Sequence, residues 1–284
     1  MRGYFEGWYF KQQTGSKTIA IIPAVHADNG GKKSASIQVI TDGFAKMAEY
    51  SPQEFFADRG RVEIRVGESV FSRRGLKLNI NKDELRAEGQ LTFGKPAPPR
   101  YDIMGPFAII PFMECRHSLL SLSHTVDGSL RIDGEETEFR GGAGYMEGDR
   151  GRSFPKRYIW TQCSFGERDS LMLSVADIPF MGGMFTGVIG AVLFGGREYR
   201  IATYLGARVA SIGNEAVSVR QGNLRFTAEL LKTREQRLRA PVMGGMTRFV
   251  RESASCRAGY RLEIGGRVIF DIESDSAGFE FEWR

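Results

Sequence analysis

The feature that most constrains this chain is a rhythm. Short runs of alternating apolar and polar residues, closed by turn dipeptides, recur from one end to the other, and helical periodicity is scarce. In the first half the runs are YFEGWYFKQ, KTIAIIPAV, SASIQVIT, FAKMAEYS, RVEIRV, SVFSRR, LKLNI and LRAEGQLTF, with turns at Asp42-Gly43 and Asn81 to Asp83. In the second they are LLSLSHTV, SLRID, TEFRGGAGYMEG, RYIWTQCSF, SLMLSVAD, GVIGAVLF, EYRIATYL, AVSVRQ, LRFTAELL, GYRLEI, RVIFDIE and FEFEW, with turns at Asp127-Gly128, Gly222-Asn223 and Gly265-Gly266. The 35 glycines among 284 residues suit many tight turns. The pattern predicts an all-β chain of antiparallel sheets closed into barrels or sandwiches, because many short strands must bury one face each and hide their edges.

A second regularity concerns organisation. GYFEG at positions 3 to 7 returns as GYMEG at 144 to 148, nearly half of the 284 residues away. A repeat that bisects the chain predicts two similar halves, 1–142 and 143–284, in which Glu6 and Glu147 hold equivalent places on the opening strands. The Pro-rich segment 94–111, GKPAPPRYDIMGPFAIIP, lacks the donors a central strand needs and reads as an extended connector that covers or completes the first half.

Charge and cysteine content narrow the functional classes. Lys plus Arg number 39 against 34 Asp plus Glu, a mild excess spread along the chain, so nucleic acid is not an expected partner. The densest basic clusters, Arg150, Arg152, Lys156 and Arg157, then Lys232, Arg234, Arg237 and Arg239, read as solvated faces. Three separated cysteines suggest neither a disulfide framework nor a zinc site and fit a reducing compartment; the first residues carry Glu6 and Lys11 where an export signal would be apolar. A cytoplasmic location is expected. The uncharged run Ile178 to Gly196 is long enough for a membrane span, but its glycines and the Gly195-Gly196 pair predict a hairpin, with peripheral membrane contact confined to a loop at Phe180 to Phe185.

Phosphate loops, HExxH and GxSxG are missing from the sequence. What stands out is acid among aromatics: Glu6 beside Phe5 and Trp8-Tyr9-Phe10, and Glu147 with Asp149 after Tyr145. Such a carboxyl group is poorly solvated and inclined to hold a proton, although pairing with an arginine explains it equally simply. In RYIWTQCSF, alternation puts Tyr158, Trp160 and Gln162 on one face, as a lined ligand cavity would, and Ile159 and Cys163 on the other, in the core. Glu114 and His117 form a second candidate acid–base cluster. His124, on the apolar face of LLSLSHTV, reads as core or as ligand contact, and Glu114, His117 and His124 lack metal-ligand spacing.

At this point GYFEGWYFK, SIQVITDG, PFMECRHSLLSLSHTVDG and GYMEGDRGRSFPKRYIWTQCSF together resemble the tocopherol cyclase-like family. Tyr145, Glu147, Asp149, Gly151, Phe154, Pro155, Trp160 and Gln162 match its mid-chain signature, and Glu6, Gly7, Trp8, Tyr9 and Phe10 its opening one. Arg150 and Tyr158 stand where the family has tryptophan, which points to a more polar cavity or another substrate. The resemblance implies two lipocalin-like antiparallel barrels as a pseudo-duplicated pair. It also implies a hydrophobic, prenyl-derived or polyketide-like ligand, no cofactor and no metal, and cyclisation begun by protonation of a double bond. The acids would come from Glu147, Asp149, Glu6, Glu114 and His117. The ligand would meet Trp8, Tyr9, Tyr145, Tyr158, Trp160, Gln162 and His124. A carrier without chemistry, or a hydratase of an isolated double bond, would need the same pocket.

Overall fold

A computed structural model describes residues 3–110, 113–180, 183–233 and 236–283. Among the described residues the regular structure is almost entirely strand, with three short 3-10 turns. The first unit holds β1 (Tyr4–Thr14), β2 (Lys17–Ala27), β3 (Lys33–Thr41), β4 (Ala45–Tyr50), β5 (Phe55–Asp58), β6 (Glu63–Val66), β7 (Ser69–Ser72), β8 (Gly75–Lys82), β9 (Leu85–Phe93), β10 (Cys115–Ile132) and β11 (Glu135–Gly151). The second holds β12 (Tyr158–Phe165), β13 (Asp169–Phe180), β14 (Gly183–Phe194), β15 (Arg197–Ala202), β16 (Arg208–Gly213), β17 (Ala216–Gln221), β18 (Leu224–Lys232), β19 (Gln236–Val242), β20 (Gly245–Ile264) and β21 (Arg267–Glu282).

The eleven strands of the first unit form one antiparallel sheet in the order β4-β3-β2-β1-β11-β10-β9-β8-β7-β6-β5. Its two end strands are consecutive in sequence, joined by a short turn at Pro52–Glu54, and one core receives side chains from all eleven, so the sheet curls into a nearly closed barrel. The second sheet runs β15-β14-β13-β12-β21-β20-β18-β17-β16, with β19 paired on β20, around a core of its own. In each unit a four-strand meander is followed by a longer meander whose last strand returns to the first: β11 to β1, and β21 to β12.

That correspondence corrects the expected repeat. GYFEG and GYMEG lie on neighbouring strands of one unit, with Glu6 opposite Arg150 and Glu147 opposite Tyr9. The true counterparts are β1 with β12 and β11 with β21: Gln12 faces Gly144, and Gln162 faces Gly278, each glycine preceded by alanine. The 142/143 division falls inside β11, and the units meet instead at 152–157.

Two more expectations shift. Asp127-Gly128 is no turn; Gly128, at φ 125°, sits at a register slip inside β10, where a Cβ would lie 2.2 Å from the Gln90 carbonyl. The Pro-rich segment joins β9 to β10 within the first unit and crosses onto the second, where Phe107 packs on Phe185 and Tyr204. Pro111 lies outside the described residues. Gly195-Gly196 does turn β14 into β15, and Gly222-Asn223 and Gly265-Gly266 turn their hairpins as read. The loop expected at Phe180 to Phe185 is instead the end of a β-hairpin: Phe180 closes β13 and pairs with Gly183, which opens the β14 strand that carries Phe185, and residues 181 and 182 lie outside the described residues. Among the described residues no helix is long and apolar enough to cross a membrane.

Strand alternation then builds a third layer. On β1, Trp8 and Phe10 point into the first barrel while Tyr9 points out; on β11, Met146 points in and Tyr145 out; on β12, Ile159 and Cys163 enter the second core while Tyr158 and Trp160 leave it. The outward sets from both units, with the inner face of β19 and β20, pack against one another. The candidate site lies in that inter-unit layer.

Candidate functional site

Between the units lies a cavity of about 170 Å³ whose wall is mostly apolar. Its aromatic members meet edge to face: Tyr9 on Trp160 at 5.5 Å, and Phe154 on both Phe5 at 5.3 Å and Tyr158 at 6.1 Å. Met104 and Phe107 of the Pro-rich segment close one side.

One wall carries a buried acid–base cluster, and strand register explains it. His117 on β10 is paired with Asp149 on β11, and Leu119 one step along with Glu147, so the three polar side chains project from adjacent positions on the same face. His117 Nδ1 lies 3.0 Å from Asp149 Oδ1, and its Nε2 lies 3.3 Å from Glu147 Oε2. Glu147 Oε2 also accepts the Tyr145 hydroxyl and, at 3.2 Å, the Trp160 indole N–H. Burial opposes a charge on His117, but the carboxylates of Asp149 and Glu147 outweigh it and raise the imidazole pKa well above 6.5. The cluster is therefore a store for one proton inside an apolar chamber. Burial, and then Glu147, push the Tyr145 phenol well above 10, so it stays a donor.

His117, Glu147 and Asp149 also form a group, among the described residues, whose ligand atoms lie within 4.8 Å of one another and could hold a metal ion. Both ring nitrogens of His117 already face carboxylates, an arrangement that favours a proton on the ring, whereas a metal needs a neutral imidazole. The trio dismissed for a metal on spacing was a different one, with Glu114 and His124 in place of the two carboxylates.

The remaining expected residues divide. Glu114, Tyr9, Tyr158 and Trp160 line the cavity, while Tyr145 stands behind Glu147. Glu6 does not reach it: even-numbered on β1, it faces away and forms a two-pronged ion pair with Arg59, at 2.6 Å for both contacts, plus a bond from Tyr4. The simple pairing explanation holds for this carboxylate. Trp8 is in the first barrel's core. His124 is buried against Phe93 at 4.6 Å, with Nδ1 on the Ser121 hydroxyl. Gln162 shares the face of Trp160 but lies past the cavity's end, its amide on Ser164. Of the basic clusters, Arg157 pairs with buried Asp177 and Arg239 with Glu49, while positions 234 and the side chain at 237 lie outside the described residues.

Among the lining residues that escaped the sequence reading are Asp177, Glu280 and His26. Asp177 is held by Arg157 and, at 2.7 Å, by the Thr186 hydroxyl; Glu280 accepts the Tyr158 hydroxyl; His26 sits on β2. The Glu280 signal was present in FEFEW, an acid between Phe279 and Phe281, two aromatics that pack in the second core. His26 was legible only through parity with Ile22 and Ala24.

The chain matches the model of the family described as tocopherol cyclase-like over residues 81–282. The chain belongs to the tocopherol cyclase-like family. Among curated proteins none matches it. Solved structures with the same fold include CghA, also seen with Sch210972, at 12% identity and TM-score 0.62, covering 99% of this chain and 88% of that one. Others are a putative AttH from Nitrosomonas europaea, at 11% and 0.55, covering 100% and 93%, and kievitone hydratase from Nectria haematococca, at 10% and 0.53, covering 99% and 89%. The all-β, lipocalin-like, pseudo-duplicated architecture is thus shared across the whole chain. The family match includes the mid-chain signature with Glu147 and Asp149, and the opening signature lies before it.

Two expected results follow from this geometry. Arg59→Ala strands buried Glu6 and should lower stability by roughly 2 kcal/mol, discounted because Arg59 is largely exposed. Equilibrium denaturation checks this, and unchanged stability in Arg59→Ala would mean that Glu6 does not depend on its arginine.

The second concerns pH. Burial lowers His26 and His124 from 6.5 to about 4, so the unfolded chain binds more protons and stability falls as pH drops through that window, by about 3 kcal/mol per histidine. His117, raised above 6.5, acts oppositely: its contribution is complete below 6.5 and is lost as pH rises through its folded value. His124→Phe should flatten the acid limb of a stability–pH curve and His117→Asn the alkaline one; unchanged limbs would contradict these assignments.

Proposed function

We propose that this protein binds a hydrophobic small molecule, prenyl-derived or polyketide-like, between its two barrels and isomerises it by proton-initiated cyclisation. The observation that carries the reading is His117 held between Glu147 and Asp149 on the wall of an aromatic-lined cavity. In the proposed step the cluster gives a proton to a substrate double bond, and a hydroxyl oxygen of the same molecule closes a C–O bond onto the resulting cation. The hydroxyl proton returns to the cluster, so atoms and charge balance without a co-reactant.

Once its proton has left, the cluster carries an excess of negative charge facing the cation, and the faces of Tyr9 and Trp160 add quadrupolar attraction. Hydration of the same cation would require water beside it, and a mostly apolar wall disfavours water there, which supports ring closure over hydration. Native mass spectrometry of the purified protein tests the ligand class: a retained apolar compound with a double bond and a hydroxyl supports the reading. Product formation from prenylated phenols and polyenes tests the chemistry, and binding without product for every such compound would leave a carrier instead.

A further inference from the structure

Polar groups in the cavity wall are mostly spent on one another. The Tyr158 hydroxyl goes to Glu280, the Trp160 N–H to Glu147, the Cys115 thiol to Asp149 and the Gln38 amide to the backbone of Arg239. Ser174 on β13 also lines the cavity, and it differs from these. It is half-buried, and among the described residues its hydroxyl neither gives nor receives a hydrogen bond. The oxygen is not sealed off either; it keeps accessible surface. A hydroxyl open to a mostly apolar chamber, with no partner from the protein, is a group to which a ligand adds a hydrogen bond.

Register fixes what surrounds it. Glu280, Trp160, Ser174 and Ile189 are successive neighbours across β21, β12, β13 and β14. Leu173 and Val175 point into the second core, so Ser174 points with Trp160 and Ala176 into the layer between the units. Side chains directly opposite one another stand about 5 Å apart, which puts Ser174 at the flank of Trp160. The six-membered ring of that indole leans the other way, over β21, where its Cζ3 is 2.9 Å from the place a Cβ on Gly278 would take, and Ser174 stays uncovered. The N–H of the same indole reaches Glu147 at 3.2 Å, so little more than one indole separates the serine from the proton cluster.

We infer that Ser174 holds the hydroxyl that closes the ring. Its O–H donates to the oxygen of an uncharged phenol or alcohol lying along Trp160, with the ligand's double bond at the His117–Glu147–Asp149 end. The oxygen keeps a second lone pair for the cation, and its own proton leaves to the cluster as the C–O bond forms. Ser174 keeps its hydrogen throughout, so the balance of the proposed step is unchanged. The inference deepens the proposed function and rests on it for the ring closure alone. Without Ser174 the oxygen is free to turn away, and the cation instead gives up a neighbouring C–H proton to the cluster, which yields an isomer with a shifted double bond and no new ring. Glu147, Asp177 and Glu280 in the same wall select against a carboxylate in place of the hydroxyl.

Calorimetry with 2-naphthol and 2-methylnaphthalene, matched in shape, reads the site without turnover. Ser174→Ala should weaken 2-naphthol by about five- to tenfold and leave 2-methylnaphthalene within about twofold. Because the hydroxyl has no partner in the protein, Ser174→Ala should unfold at the same denaturant midpoint as the unmodified chain. A lowered midpoint would mean that the hydroxyl serves the fold and not a ligand. Any compound the protein cyclises supplies a further readout: Ser174→Ala should raise the share of uncyclised isomer among the products. Equal weakening of both probes, no weakening of either, or an unchanged share of cyclised product would overturn the assignment. Selective loss of 2-naphthol in a protein that forms no product would sink the catalytic reading and leave the hydroxyl site standing.

Discussion

Glu147→Gln should lower product formation by about 10² or more while changing ligand affinity little, the scale expected when a group that moves a proton in the transition state is lost. The substitution is nearly isosteric, so the Tyr145 and Trp160 hydrogen bonds retain an acceptor oxygen. What disappears is the charge that helps hold a proton on His117. His117→Asn should fall as far, because the proton has then lost its principal seat, and Asp149→Asn should follow the same direction. Trp160→Ala should behave differently: it removes a face of the cavity, so affinity drops along with turnover. A carrier gives the reverse pattern, with no product from the unmodified protein and an affinity more sensitive to Trp160→Ala than to Glu147→Gln. Unchanged product formation in all three cluster variants would remove the cluster from the chemistry and leave Glu114, Asp177 and Glu280 as the acids in the wall.

Much of this was legible in the sequence for a definite reason. Alternation in RYIWTQCSF fixes which residues share a face, and Tyr158 and Trp160 do reach the cavity while Ile159 and Cys163 are sealed in the second core. Parity along one strand cannot say which face looks at which partner, and that is why Glu6 and Trp8 were placed with the ligand. They share a face with Phe10, and that face belongs to the first barrel. Gln162 failed for another reason: the right face continues beyond the cavity. The repeat misled because a match of five residues reports likeness and not location, and two antiparallel neighbours can carry the same phrase. The union of His117 with Glu147 and Asp149 depends on the register of β10 on β11, set by bulges that local pattern does not reveal.

Arg200→Met should cost about 3–5 kcal/mol, the effect of breaking a buried, multiply bonded ion pair from one side. Arg200 is enclosed with Glu198, its partner at 2.8 Å, and both are spent on the Pro-rich segment. The guanidinium donates to the carbonyls of Tyr101 and Asp102 and to the Tyr204 hydroxyl, and lies 4.2 Å over the Tyr101 ring; Glu198 accepts the Arg100 N–H at 2.8 Å. Methionine fills similar volume without satisfying any of these groups, so Glu198 is left as an unpaired buried charge. The consequence extends to the cavity, because the same segment supplies Met104 and Phe107 to its wall. Ligand affinity should therefore fall together with stability, and limited proteolysis should cut first between residues 94 and 110. The paired variant Arg200→Met with Glu198→Gln separates the two effects: removing the stranded charge should recover part of the stability, but the carbonyls of Tyr101 and Asp102 still lack their donor and the segment stays loose. The segment's other contacts are Phe107 against Phe185 and Tyr204, the Tyr204 hydroxyl on the Ile103 carbonyl, and Arg116 on Asp102 and the Ala108 carbonyl. Stability recovered together with full affinity would mean that these hold the segment, and that the arginine serves only its own unit.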